Sequence, residues 1–334
     1  MRKYMQTGYG AMRGNVEILD VPNPTPWDYE MAVEVHAAAL NPIDFKIIHG
    51  ALKPVIKEKL PTPMGFDGSG VVSAIGDRVT QFKVGDAVFF RADIRNRGSF
   101  AQICCVGADL ATLKPEIMSH ADAASLPLVA LTTLQGLVDR AGAKAGQSIL
   151  VHAGAGGVGS FAVQFAKAIG MEVTAIISSK NADMMRELGA DFVIERDKED
   201  YLGRPTRYDI VYDTIGGDAT LDAFKVLKAG GAVVSIAGPP TEEMANQLGL
   251  SWIMRQIMKF MSRKVFAEAK RTGTRYFGYF TQSDGAQLAQ IAQMVVDGKI
   301  HAVIDREYPF EQLVEALEYL ETGHAKGKVV LKMK

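Results

Sequence analysis

Ser148-Ile-Leu-Val-His-Ala-Gly-Ala-Gly-Gly-Val-Gly-Ser-Phe-Ala-Val-Gln-Phe-Ala-Lys-Ala-Ile-Gly170 is the stretch that decides the fold of this chain. It opens with an apolar run of strand length and closes with an apolar helical pattern, with Gly154, Gly156, Gly157 and Gly159 between them. Glycines so placed let the backbone turn tightly and approach a pyrophosphate closely. They also pack the helix against the strand, so that the unpaired amides at its start, those of Gly157, Val158 and Gly159, face the phosphates. A tight strand-to-helix turn with no ligand would use the same glycines. The dinucleotide reading is favoured because the next strand starts at Glu172, which gives strand, turn, helix and strand the length of one βαβ unit.

The end of that next strand selects the dinucleotide. An NAD site usually carries an Asp or Glu about 20 residues beyond the glycines, to accept hydrogen bonds from the ribose hydroxyls. This chain has Ser178-Ser179-Lys180-Asn181 there, and the nearest acid, Asp183, lies in the following helix. Hydroxyl donors beside a cation suit a 2′-phosphate, so NADP(H) is expected. Ser178 and Ser179 also read as caps of the helix 182–188, a role that does not exclude phosphate binding.

Outward from this unit, strands continue to alternate with helices through Phe192-Val-Ile194, Tyr208-Asp-Ile-Val-Tyr-Asp213 and Ala232-Val-Val-Ser-Ile-Ala237, the pattern of a parallel sheet with crossover helices. Before Leu126-Pro127 the period differs. Short β-branched runs separated by turn signals, among them Met31–His36, Gly70–Ile75, Gly85–Phe90 and Phe100–Cys104, predict an antiparallel β domain. After residue 270 come the strand-like Tyr276–Phe280, helices near 284–297 and 310–322, and a last strand Gly327–Lys332, which predicts a return to the first domain. A length of 334 residues also favours two domains. The expected division is 1–123 with 271–334 for the β domain and 124–270 for the nucleotide-binding domain.

Composition narrows the function. Apolar residues at 48% and charged residues at 22% describe an ordinary folded protein. The net charge of −1 provides no global field for nucleic acid, so no nucleic-acid partner is expected. The only cysteines, Cys104 and Cys105, are neighbours that cannot staple distant segments, and no Cys/His set of metal-ligand spacing occurs. The histidines at 36, 49, 120, 301 and 324 show no companion carboxylate or pairing along the sequence that suggests a metal. With no apolar leader at the N-terminus and no apolar run long enough to span a bilayer, a cytoplasmic protein without an integral membrane segment is expected.

The chain resembles the medium-chain dehydrogenase/reductases, in the zinc-independent quinone reductase branch. The residues that carry the resemblance run along nearly its whole length: Asn41-Pro-Ile-Asp-Phe-Lys46, Pro63-Met-Gly-Phe-Asp-Gly-Ser-Gly-Val-Val72, Phe82-Lys-Val-Gly-Asp86, Ala123-Ala-Ser-Leu-Pro127 with Leu131-Thr132, Ala153-x-x-Gly156-x-x-Gly159, Leu188-Gly-Ala-Asp191 and Gly323-His-Ala-Lys-Gly-Lys-Val-Val330. Within the branch it is most similar to alkenal/enone reductases and reticulon-interacting mitochondrial relatives, which share Val211-Tyr-Asp-Thr-Ile-Gly216. The resemblance implies an α/β protein with a GroES-like antiparallel β domain joined to a Rossmann doubly wound parallel-sheet domain, and an active site in the cleft between them.

The resemblance also implies site roles. Asn41 and Lys46 would lie beside the nicotinamide and Thr132 under its ribose. Thr214, Ile215 and Gly216 would form the loop after the fourth strand, and Gly278, Tyr279 and Phe280 would flank the nicotinamide amide. Gly238, Lys326 and Lys328 would add cofactor contacts, and Arg196 would face Ser178, Ser179 and Lys180 across the 2′-phosphate. Zinc alcohol dehydrogenases of the wider family place ligands where this chain has Asn41, Phe66-Asp67 and the Leu128 region, so no metal and no alcohol dehydrogenation are expected. A tyrosine that many relatives carry near Leu52 is absent, which leaves water as the expected proton source.

These readings converge on an NADPH-dependent reductase that delivers hydride to quinones or α,β-unsaturated carbonyls, with a small hydrophobic acceptor and, by resemblance, a homodimer. An NADPH-binding module with little turnover and an enoyl-thioester reductase stay open as alternatives. The segment Trp252–Phe266 reads as an amphipathic helix, with Arg255, Lys259 and Arg263 at i, i+4 spacing and Ile253, Ile257, Phe260 and Met261 on the other side. A substrate lid, a subunit contact, a membrane-surface contact and core packing would each use that pattern.

Overall fold

The computed structural model describes residues 1–56, 59–152 and 154–333, so Ala153 of the glycine motif lies outside the described residues. The chain forms two units, Met1–Leu131 with Gln282–Lys334, and Thr132–Thr281.

Unit 1 is built on β1 (Arg2–Gln6), β2 (Val16–Asp20), β3 (Glu30–Leu40), β4 (Thr62–Pro63), β5 (Asp67–Ile75), β6 (Ala87–Arg91), β7 (Ile103–Gly107) and β8 (Ala111–Leu113). The first, second and fourth make a small antiparallel sheet in the order β2-β1-β4. The long β3 is the spine of a larger sheet, pairing antiparallel with both β5 and β7. Two register shifts bend it, and β5 then approaches so closely that a Cβ at Gly70 would lie 2.0 Å from the Glu34 carbonyl oxygen. Met31, Val33, Val35, Val72, Val88 and Phe90 fill the core beneath this sheet.

Unit 2 contains β9 (Ser148–His152), β10 (Glu172–Ile177), β11 (Phe192–Glu195), β12 (Tyr208–Asp213), β13 (Leu227–Ser235) and β14 (Arg275–Gly278), all parallel in the order β11-β10-β9-β12-β13-β14. Renumbered from β9, this is the 3-2-1-4-5-6 order of the doubly wound dinucleotide fold, whose direction of winding reverses between β9 and β12. The near-continuous apolar runs follow from burial on both faces, as all five residues of β9 are buried. The sixth strand comes from beyond residue 270, with Tyr276 and Phe277 in register with Val233 and Val234. Here the expected division and the sheet differ: an isolated four-residue aromatic run carries no local mark of which sheet it joins.

The chain then returns to unit 1. β15 (Ile304–Pro309) and β16 (Lys328–Lys332) extend the large sheet to the order β15-β16-β3-β5-β6-β8, with β16 antiparallel to β3. Between them, Leu313 and Leu317 of the helix Leu313–Glu321 are fully buried in the unit 1 core. Among the described residues, no helix is long and apolar enough to cross a membrane.

Candidate active site

The switch point of unit 2 lies at the carboxyl ends of β9 and β12, where open α/β sheets bind ligands. The glycine turn leaves β9 there and enters the helix Gly157–Ala168, whose cap, Gly156, offers no side chain to the first-turn amides. A Cβ at Gly156 would meet nothing within 4 Å, whereas one at Gly154 would come within 2.7 Å of Met185 Sδ. Gly154 is therefore held by packing, while Gly156 borders open space. Uncapped amides beside that space fit a pyrophosphate.

Asp213, at the end of β12, organises the neighbouring loop. Its fully buried carboxylate accepts the amides of Ile215 and Gly216, both at 3.0 Å, and the hydroxyls of Thr220 at 2.5 Å and Ser235 at 2.7 Å. His152 Nδ1 lies 3.5 Å away. Burial works against the charge, but His152 and these donors outweigh it and hold the carboxyl well below its usual range. Thr214 Oγ1 in turn donates to the His152 carbonyl at 2.8 Å. The loop Thr214–Gly216 is thus fixed between the two strand ends, and Ile215, half-exposed, presents an apolar side chain at its tip.

A second fixed loop follows β14. Tyr279 Oη donates to the Thr132 carbonyl at 2.5 Å, and the hydroxyls of Thr132 and Thr281 bond at 2.7 Å. Thr241 Oγ1 donates to the Gly278 carbonyl at 2.9 Å, and Gln247 Oε1 accepts the Phe280 amide at 2.9 Å. Gly238 sits against Tyr276 Oη and Ser235 Oγ so tightly that a Cβ would come within 2.3 and 2.7 Å of them.

At the end of β10, the amide and hydroxyl of Ser179 both donate to Asp197, at 2.8 and 2.5 Å. Those bonds outweigh the opposing desolvation and lower the Asp197 carboxyl below its usual range. Ser178 is half-buried, and Lys180 and Arg196 are exposed. Of the expected cluster, the structure bonds Ser179 to an acid, Asp197, that was not part of it, and sets the Arg196 amide on the Ile177 carbonyl at 2.9 Å, next to Ser178.

In unit 1, Asn41 caps the helix Pro42–Ile48 and is 1% exposed. Its Nδ2 donates to Asp67 Oδ2 at 3.0 Å, and its Oδ1 accepts Lys328 Nζ at 2.5 Å. Lys328 Nζ also lies 3.4 Å from Asp67 Oδ2. Asn41 and Lys328, both expected at the cofactor, therefore have side-chain polar atoms bonded to each other and to Asp67 inside this unit. Lys46, in the last turn of the same helix, and Lys326, beside β16, are exposed.

Asp44 completes the buried group, with Oδ2 accepting the Asn41 amide at 2.7 Å. Burial pushes its carboxyl up to about 7; the Asn41 amide opposes this, Asp67 adds to it, and Lys328 and Arg97 oppose it. The folded chain then holds a proton that the unfolded chain releases near pH 4, so stability falls as pH rises from about 4 to about 7 and levels off above. Asp44→Asn keeps an oxygen for the Asn41 amide without the charge. It is expected to be more stable than wild type by roughly 2 to 4 kcal/mol near pH 8, with the gap narrowing as pH falls and closing only near pH 4. Denaturant titrations across pH check this; a pH-independent gap would refute it.

The histidines do find carboxylates across the fold, since His49 Nε2 lies 2.8 Å from Glu321 Oε1 as His152 does near Asp213. His36 and His120 stack with ring centroids 4.5 Å apart. Even so, among the described residues no three His, Cys, Asp or Glu side chains are grouped to hold a metal ion. The zinc-ligand positions instead hold the Asn41 amide, the Asp67 carboxylate and the apolar Leu128 region, with the Lys328 ammonium against the first two, a set that does not fit a metal. Elemental analysis should find no stoichiometric zinc, and chelators should leave turnover unchanged; one zinc per chain would contradict this. Burial pushes the thiols of Cys104 and Cys105 up to about 12 and about 11, so both are poor nucleophiles near neutral pH.

Sequence reasoning missed Asp213, Asp67 and Asp197 as organising residues. Asp213 lay within a quoted motif, and its place at a strand end beside the switch point was the available signal.

Two family models match the chain: an alcohol dehydrogenase GroES-like domain over residues 28–122 and a zinc-binding dehydrogenase over 188–331. The chain is 34% identical to the 2-methylene-furan-3-one reductase of Solanum lycopersicum, over 99% of this chain and 79% of that protein. It is 33% identical to the chloroplastic NADPH-dependent alkenal/one oxidoreductase of Arabidopsis thaliana, with the same coverage. The solved quinone oxidoreductase from Coxiella burnetii superposes with a TM-score of 0.87 at 32% identity, covering 100% of this chain and 99% of that one. Fold, site and relatives agree: the chain belongs to the medium-chain dehydrogenase/reductases, in the zinc-independent quinone oxidoreductase branch.

Proposed function

We propose that this protein is an NADPH-dependent reductase of quinones and α,β-unsaturated carbonyls. The observation that carries the reading is the uncapped helix start at Gly157 beside open space at Gly156, at the switch point of a 3-2-1-4-5-6 sheet. Bound there, NADPH supplies a hydride, which an electrophilic carbon conjugated to a carbonyl accepts without a metal. The names of its relatives support the acceptor class: a furanone reductase, an alkenal/one oxidoreductase and a quinone oxidoreductase.

The chain's own contribution is placement. The amides of Gly157, Val158 and Gly159 hold the pyrophosphate, and Ser178, Ser179, Lys180 and Arg196 the 2′-phosphate. Asp213 fixes Thr214, Ile215 and Gly216, and Gln247 and Thr241 fix Gly278, Tyr279 and Phe280, so that both loops are set before the nicotinamide arrives. Thr132, anchored by Tyr279 and Thr281, serves the ribose, and Gly238 lets the chain pass close to Tyr276 and Ser235. In unit 1 we assign Lys46 and Lys326, both exposed, direct contacts with the ligands. Asn41 and Lys328 are positioning residues, and the proton that completes reduction comes from water. A cytoplasmic location and a homodimer complete the reading.

The test is NADPH oxidation, followed by absorbance, against a panel of small quinones, enones, alkenals and enoyl thioesters. Turnover of quinones or enones above enoyl thioesters is the expected result. A tight NADPH complex that no acceptor oxidises would replace this reading with a binding module.

A further inference from the structure

The helix Trp252–Met261 turns its apolar side outward. Trp252 is 70% exposed, Ile253 63%, Phe260 61% and Met261 54%, and Ile257 is also exposed. These positions share one side of the helix with Gln256 as their one polar companion, while Met258 alone of the ten residues is buried. This disposes of core packing as the reason for the amphipathic pattern. Soluble proteins rarely leave so contiguous an apolar patch without a partner.

Charge identifies the partner. Residues 252–272 carry Arg255, Lys259, Arg263, Lys264, Lys270 and Arg271 against the single acid Glu268, on a chain whose net charge is −1. Some of this charge is answered locally: Lys259 lies 3.7 Å from Glu242, and Arg271 lies 2.6 Å from Glu268. Glu243, beside Glu242, is paired with Arg140, and Asp222, on a helix packed against residues 263–272, is paired with Lys225. Arg263 stacks on the Phe260 ring at 3.9 Å, so a cation lies against the edge of the apolar patch, and Lys264 and Lys270 are exposed. A second copy placed across a two-fold axis would set these cations against their own equivalents. An anionic bilayer surface instead offers headgroup charge to the basic flank and acyl chains to Trp252, Ile253, Ile257, Phe260 and Met261. Interfacial helices use this combination, with Trp at the headgroup level.

We propose that the outward face of helix Trp252–Met261, with the basic residues flanking it, docks this protein onto an anionic lipid bilayer. The helix lies in the interface and is too short to cross it. The proposal does not depend on the reaction assigned above, and its test reads no turnover.

The experiment is co-sedimentation of the full chain with vesicles of phosphatidylglycerol and phosphatidylcholine, against vesicles of phosphatidylcholine alone. Binding to the anionic vesicles at least tenfold tighter than to the neutral ones is expected, and added salt should weaken it. In a Trp27→Phe background, which leaves Trp252 as the only tryptophan, emission should shift to the blue on binding. The double variant Ile257→Glu/Phe260→Glu should lose at least tenfold in binding at an unchanged melting temperature, because both side chains are already exposed in the wild type. No sedimentation with anionic vesicles, or equal binding by the double variant, would overturn the proposal. So would a double variant that lowers the molar mass in light scattering while vesicle binding stays as in wild type, which would assign the patch to self-association.

Discussion

Lys328→Met is expected to lower the melting temperature of unit 1 by roughly 10 °C. The Lys328 ammonium is 5% exposed and bonds Asn41 Oδ1, with Asp67 Oδ2 at 3.4 Å, and Asp67 itself has no exposed surface. Methionine fills the volume but leaves that carboxylate among Asn41 Nδ2, the Leu128 amide at 3.3 Å and the cross-strand Arg91. Arg91 offsets that charge only in part, through its field across the strand pair, since its Nη1 donates to Ser283 Oγ at 2.7 Å and not to the carboxylate. Breaking a buried pair by removing one partner costs about 3 to 5 kcal/mol, and each kcal/mol is worth about 2 to 4 °C in a domain of this size. The companion Lys328→Met/Asp67→Asn removes both charges and should recover much of the loss, because the cost lies in the orphaned carboxylate. Calorimetry of the three proteins decides the matter. A single variant within about 2 °C of wild type, or a double variant no better than the single, would show that the ammonium does not stabilise the buried Asp67.

That cluster marks the limit of what local pattern conveys. The apolar runs 148–152, 172–177 and 208–213 are strands over those same residues, because a strand buried on both faces must be apolar throughout and shows it in one short window. The strand order was legible only through the glycine turn, which ties one particular βαβ unit to one winding. β13 starts at Leu227, earlier than its apolar run, since Lys228-Ala-Gly-Gly231 reads as a turn yet lies within the strand, at a register shift between the pairs made by Leu227 and Ala232. The amphipathic segment 252–266 is two helices meeting at Ser262, whose hydroxyl donates to the Met258 carbonyl. No periodicity announces such a break. Ion clusters are harder still: Asn41 meets Asp67 across 26 residues and Lys328 across 287, and Ser179 meets Asp197 across 18. Only the folded register brings these groups together, so an Asn before a Pro shows itself in sequence as a helix cap and nothing more.

The coenzyme preference is where such an unforeseen partner alters a quantitative expectation. Wild type should favour NADPH over NADH by about tenfold to a hundredfold in kcat/KM, since charge-assisted hydrogen bonds to the 2′-phosphate exist for only one of the two. β10 and β11 end side by side, with Ile177 opposite Glu195, the Arg196 amide donating to the Ile177 carbonyl at 2.9 Å and Ser179 bonded to Asp197, so the turn Ser178–Lys180 starts beside Arg196 and Asp197. Lys180→Ala and Arg196→Ala should each weaken NADPH and spare NADH. Asp197 works in the opposite direction: its carboxylate takes the Ser179 amide and hydroxyl, the very donors a phosphate would use, and repels that phosphate as a like charge. Asp197→Asn should therefore tighten NADPH severalfold, leave NADH unchanged and raise the selectivity above that of wild type. Because these groups are exposed, salt should erode the preference in every variant that retains a cation there. Steady-state kinetics with both coenzymes at two salt concentrations separates the contributions. If Asp197→Asn weakens NADPH, the carboxylate supports the binding loop and does not compete with the phosphate. If the two cation variants penalise both coenzymes equally, neither cation meets the 2′-phosphate and the discrimination lies elsewhere.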